Sequence, residues 1–146
     1  MTPTALDRVR WRSHPRLLVA LALLSCAAIY AAGFTSGHAA AALSIVGGLA
    51  WFPVYFLLRS QVQEAADLPD ERLDEREIGL RDRSYLEAYR LLGGAVAVSL
   101  LVAIVDDAVD AGVMTSWLNP LAALLLLSAV LPSMILAMRT AGLGQD

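Results

Sequence analysis

An all-α integral membrane protein with four spans is the fold class that three features of the sequence predict. Four long apolar stretches cover most of a 146-residue chain that is 58% hydrophobic and 17% charged. The charges are gathered in a few places rather than spread over every helix. The basic residues, all arginine, fall on alternate connections between the apolar stretches. A soluble bundle would need polar surface to cover four apolar helices, and this chain has little outside one connection.

The expected spans are residues 17–34, 39–58, 89–105 and 118–138, arranged as two hairpins in a single domain covering 1–146. Crossing a bilayer takes about 20 apolar residues. The first, second and fourth stretches meet that length. The third is short before it reaches Asp106, and is long enough when residues 85–90 form its interfacial end. A charged cytoplasmic segment, residues 59–88, joins the hairpins.

The first span imitates a secretory signal peptide, with a basic start, an apolar centre and the small residues of "IYAAG". "LLSC" likewise imitates a lipoprotein cleavage site at Cys26. The residues after Cys26 stay apolar, which favours a retained span with Cys26 facing lipid or a neighbouring helix. A lone cysteine forms no intramolecular disulfide.

Small residues mark spans two and three. Ser44 and Gly48, Gly93 and Ala97, and Ala95 and Ser99 each stand four apart and share a helix face. Such faces let backbones approach where lipid offers no hydrophobic contrast, within one chain or between copies. Pro53 and Pro132 lie inside spans two and four. Tyr30, Trp51, Tyr55 and Trp117 lie near span ends, where an aromatic belt is expected.

Arginine fixes the expected orientation. Of the eleven, Arg8, Arg10, Arg12 and Arg16 precede span one, six lie between spans two and three, and Arg139 follows span four. The other two connections, residues 35–38 and 106–117, have none, and the second carries Asp106, Asp107 and Asp110. The positive-inside rule then puts both termini and the central segment in the cytoplasm of a multi-pass protein. The arginine-only, Ala- and Leu-rich usage points to a bacterial cytoplasmic membrane.

Several chemistries are missing from the sequence. No Asp, Glu, Lys, Arg or His stands in the middle of any span, where a proton- or cation-coupled carrier holds its ionisable group. The small multidrug exporters of similar size depend on a Glu in their first span, and this first span has none. His14 and His38 have no second ligand at metal spacing. Phosphate-loop, nucleophile-elbow and zinc-protease motifs are absent. An enzyme is not expected, nor any cofactor.

The densest charge lies in "DERLDERE", residues 70–77. From there the chain reads as a helix running into span three, with Asp67 as its cap, Pro69 in its first turn and acids crowding its start. Glu77 and Arg81, and Arg83 and Glu87, stand four apart in the favourable order. Wound at 100° per residue, Arg72, Arg76, Arg83 and Arg90 fall within about 40° of one another. Gly79 lies beside them and Leu73 and Leu80 on the flank, while Asp70, Glu71, Asp74, Glu75 and Asp82 take the other side.

Asp74-Glu75-Arg76-Glu77, then Arg81-Asp82-Arg83-Ser84-Tyr85, then Tyr89-Arg90 resemble a pattern of small uncharacterised prokaryotic membrane proteins, actinobacterial ones among them. That group carries a D-E-R-[EQ] cluster, an R-x-R-[AS]-Y run and a Tyr-Arg at the start of a span. The resemblance covers about a sixth of the chain; it implies the topology and no mechanism.

The function expected is that of a membrane-embedded accessory or scaffold protein. Its cytoplasmic helix engages a partner or anionic lipid through Arg72, Arg76, Arg83, Arg90, Asp74 and Glu75. Helix packing is assigned to Ser44, Gly48, Gly93 and Ala97. The other class is a small oligomeric channel or transporter lined by Ser44, Ser99 and nearby small residues, which the missing intramembrane charge disfavours. The expected partners are membrane lipid and a second copy or another membrane protein; nucleic acid is not among them.

Overall fold

The computed structural model of the protein describes residues 15–67 and 75–142. Among these residues there are four helices and no strand: α1 Pro15–Ala32, α2 Gly37–Asp67, α3 Glu75–Val109 and α4 Leu118–Gly142. Each holds a stretch long and apolar enough to cross a membrane, namely Pro15–Ala32, Gly37–Val62, Ile78–Val109 and Leu118–Arg139. A helix satisfies its backbone N–H and C=O groups internally, which hydrocarbon requires of any crossing segment.

Two helices run well past the expected spans. α2 continues beyond Leu58 to Asp67 and passes through Pro53 without ending. Asp67, expected as the cap of the next helix, is the last described residue of α2. The charged residues from Glu75 and the apolar residues to Val109 form one helix. Pro69 and residues 70–74 lie outside the described residues.

The hairpins α1/α2 and α3/α4 share α4 as a hub. α4 packs on α1 and α2 as well as on α3, whereas α3 leans almost wholly on α4 and barely approaches α2. The main core accordingly comes from three helices: Ala22 and Cys26 of α1, Trp51, Val54, Leu58 and Val62 of α2, and Val130, Met134, Leu136 and Ala137 of α4. α3 contributes to none of it, and buries Ser84, Ala88 and Ala103 elsewhere. Its Leu100, Leu101 and Ile104 are exposed, as suits a helix with lipid on most sides.

Trp51 departs from the expected belt position: it is only 6% exposed and lies in this core. Its ring stacks on Tyr55 one turn later, with centroids 4.8 Å apart and planes 10° from parallel. The small residues Ala22 and Cys26 of the same core leave room for an indole. The indole N–H is buried without a conventional acceptor, and the Cys26 thiol lies beside it. Cys26 thus faces a helix and not lipid. Trp117, more than half exposed, keeps the expected end position.

α1 and α2 meet at a glycine. A Cβ on Gly47 would stand 2.7 Å from Ile29 Cγ1 and 2.9 Å from the Ser25 carbonyl oxygen, so only glycine fits there without movement. The buried Ser25 hydroxyl donates to the Leu21 carbonyl, 2.8 Å away in its own helix, and so carries no unmet donor into the interface.

At the end away from the arginines, the two connections are tied together. α3 stops with Asp110 in the left-handed region at φ 50°, a place that glycine usually takes. The Ala111 N–H donates to Asp106 O at 3.1 Å and the Asp110 N–H to Asp107 O at 3.4 Å, the double closure of a Schellman motif. The Asp106 carboxylate then accepts from the N–H groups of Val113 at 2.8 Å and Met114 at 3.1 Å. Next, the N–H groups of Thr115 and Ser116 donate to Gly33 O at 2.8 and 3.1 Å. A Cβ on Gly33 would lie 2.5 Å from Pro120 Cδ, which makes this crossing another glycine-only contact.

Candidate functional site

The candidate site begins where α3 leaves the span, and α4 sets its orientation. Ser84 and Ala88 are buried, so that one flank of the charged helix is turned inward. Ser84 donates its hydroxyl proton to the Leu80 carbonyl at 2.7 Å, which removes its polarity from the contact. Arg83 and Arg90, seven residues apart, are both exposed on another flank. Gly79 and Glu75 are exposed and Leu80 is half-buried.

Of the other residues expected here, Arg72 and Asp74 lie outside the described residues, as does the side chain of Arg76. Two of the six, Arg83 and Arg90, are thus placed together as exposed arginines of one helix, with Glu75 at its start. Glu87 does not pair with Arg83 as its spacing suggested. It accepts a hydrogen bond from Arg139 Nη2 of α4, an ion pair that ties the second hairpin at the arginine-bearing end. Asp82 lies 3.7 Å from Arg81 Nε.

The small residues divide into contacts made and surfaces left open. A Cβ on Gly48 or Gly93 would meet nothing within 4 Å, and Ala97 is exposed. Ser44 donates to Asn119 Oδ1 of α4 at 3.4 Å. Ser99 bonds to the Ala95 carbonyl at 2.8 Å and to the Tyr30 hydroxyl of α1 at 3.0 Å. The residue that joins α1 to α2 is Gly47, one position from the glycine that the four-residue spacing selected. Spacing within one helix shows which residues share a face, but not where the neighbouring helix lies.

The Tyr30–Ser99 bond bridges α1 and α3 over a groove of about 530 Å³ floored by Ala123, Leu124 and Leu127 of α4. Apart from these two hydroxyls and the Cys26 thiol its walls are apolar, so it offers shape and little chemistry. Among the described residues, no three His, Cys, Asp or Glu side chains gather as a metal site would require.

The fold defines a class, a helical protein with four helices built to cross a membrane and a charged extension on the third. Compared with family models, curated proteins and solved structures, the chain finds no match.

Proposed function

We propose that this chain is a membrane-embedded accessory or scaffold protein whose charged start of α3 engages a partner protein or anionic lipid. The observation that supports this most is the continuity of α3 from Glu75 to Val109. One rigid rod then carries both the exposed arginines Arg83 and Arg90 and the membrane span. A partner held at those arginines is held at a fixed height and rotation relative to the bilayer. Each arginine near anionic headgroups contributes on the order of 1 kcal/mol.

The same proposal sets the protein in a bacterial cytoplasmic membrane with both termini inside, on the arginine distribution. It also counts the chain among the small prokaryotic membrane proteins whose D-E-R-[EQ] pattern its residues 74–90 resemble. The lack of any ionisable residue from Leu91 to Val105 of α3 speaks for a scaffold over an ion-coupled carrier.

The test is affinity purification of the full-length protein beside the R83A/R90A double variant. A stoichiometric partner, or enrichment of anionic lipid, is expected with the first and lost with the second. Robust selective flux through proteoliposomes of the purified protein would overturn the scaffold in favour of the oligomeric channel or transporter.

A further inference from the structure

α3 leans on α4 and barely approaches α2, which leaves a wedge between α2 and α3 at the arginine-bearing end. A crevice of about 280 Å³ fills this wedge. Its mouth carries Arg59 of α2 with Tyr85 and Tyr89 of α3, and its deeper walls are Leu92 of α3 and Ala129 and Pro132 of α4. Among the described residues that line it, none is acidic. Glu87, on the same part of α3, is neutralised by Arg139.

Helix rise sets the depth of these residues. α2 needs about 33 Å to run from Gly37 to Arg59 at 1.5 Å per residue, which is roughly the hydrocarbon thickness. Arg59 therefore stands at the boundary between hydrocarbon and headgroups. Ala129, by the same arithmetic about 16 Å along α4 from Leu118, stands near mid-membrane. The crevice thus grades from a cation and two tyrosines at headgroup level to walls below that are apolar apart from Ser128, whose hydroxyl donates to the Leu125 carbonyl at 2.7 Å in its own helix. Its volume lies at the small end of ligand sites, which suits a headgroup and the first part of a tail, not a large solute.

We infer that this crevice is a binding site for one anionic phospholipid. The phosphate sits against the Arg59 guanidinium and the Tyr85 and Tyr89 hydroxyls, and one acyl chain descends along Leu92, Ala129 and Pro132. Basic pockets between transmembrane helices suit such headgroups because guanidinium binds phosphate with charge-assisted hydrogen bonds. Tyrosine adds donors at the level where amphipathic rings settle. A free anion satisfies the mouth alone, and an uncharged amphiphile the walls alone; an anionic lipid satisfies both. The site stands apart from the Arg83/Arg90 flank, which is exposed on the outside of α3.

The experiment is native mass spectrometry of the full-length protein in detergent, titrated separately with phosphatidylglycerol, phosphatidylcholine of the same chains, and inorganic phosphate. One phosphatidylglycerol is expected to bind at a concentration at least fivefold below that for phosphatidylcholine, and inorganic phosphate is expected not to displace it. Arg59→Gln should remove the preference for phosphatidylglycerol. Ala129→Phe, which fills the apolar part and leaves Arg59 in place, should weaken both lipids by fivefold or more. Helical content and thermal unfolding report whether each variant is folded, and Ala129→Phe decides the matter if Arg59→Gln is not. Equal binding of the two lipids by the wild type, displacement by inorganic phosphate, or unchanged lipid binding in a folded variant would each overturn the site.

Discussion

Gly47 lies against the backbone of Ser25 across the first hairpin: a Cβ on Gly47 would stand 2.9 Å from the Ser25 carbonyl oxygen. Backbone oxygen cannot swing away as the end of a side chain can, so Gly47→Ala must push α1 and α2 apart. Overpacking of this kind costs about 1–3 kcal/mol. Gly48→Ala, with nothing within 4 Å, should be harmless or gain about 0.5–1 kcal/mol from helix propensity. Unfolding of both variants in detergent should separate them in that order. Equal stabilities would mean that the hairpin does not depend on this contact.

Much of the fold is legible in the sequence because hydrocarbon sets a length that an apolar run meets or misses. The stretch after Leu58 reads as part of the charged segment between the hairpins, yet "QVQEAAD" is rich in good helix formers, and α2 extends through it. Trp51 could not be placed by its identity, because lipid-facing and helix-facing sides of a span are equally apolar. Its burial follows from Ala22 and Cys26 on another helix. The same holds for Glu87. Its partner by spacing was Arg83, but the bundle brings up Arg139, which is distant in sequence.

The Glu87–Arg139 pair links α3 to its one close neighbour, at a point where both side chains are partly exposed. Solvent screening at such a place limits the pair to roughly 0.5–1 kcal/mol. E87Q, R139Q and the double variant form a cycle whose coupling energy should fall in that range. Amide exchange in the charged part of α3 should rise in each single variant. A coupling of zero would leave the attachment of α3 to the apolar contacts alone.

Asp106 holds the α3–α4 connection by accepting from Val113 and Met114 N–H groups. Hydrogen bonds to a charged acceptor contribute about 1.5–3 kcal/mol. Asp106→Ala should therefore speed exchange of those two amides by roughly tenfold or more, since about 1.4 kcal/mol is a decade. The membrane-buried amides of α4 should be unaffected. Unchanged exchange at Val113 and Met114 would show that the loop is held by its bonds to Gly33 instead.

Asp110 occupies the left-handed position that ends α3, at φ 50°. Glycine takes that conformation without the Cβ clash that any other residue bears. Asp110→Gly should be neutral or stabilising by up to about 1 kcal/mol, and Asp110→Val should be destabilising, because a β-branched side chain tolerates positive φ least. Thermal unfolding of the two variants gives the comparison. A loss of stability in Asp110→Gly would assign the carboxylate a role of its own.

The orientation proposed from charge can be tested without disturbing the core. Cys26, the one cysteine, is buried, and should resist a membrane-impermeant maleimide in intact cells. New cysteines at exposed positions then report one side each. Ala111→Cys lies on the connection that has no arginine, and Arg83→Cys on the arginine-bearing extension of α3. Arginine is retained on the cytoplasmic side during insertion, so Ala111→Cys should label in intact cells and Arg83→Cys only after permeabilisation. Val113 is less suitable as a reporter, since its N–H is engaged by Asp106. The reverse pattern would invert the protein and move the proposed lipid crevice to the outer leaflet. Labelling of both positions in intact cells would mean that the segment carrying Arg83 crosses to the outside, which four spans with both termini inside do not allow.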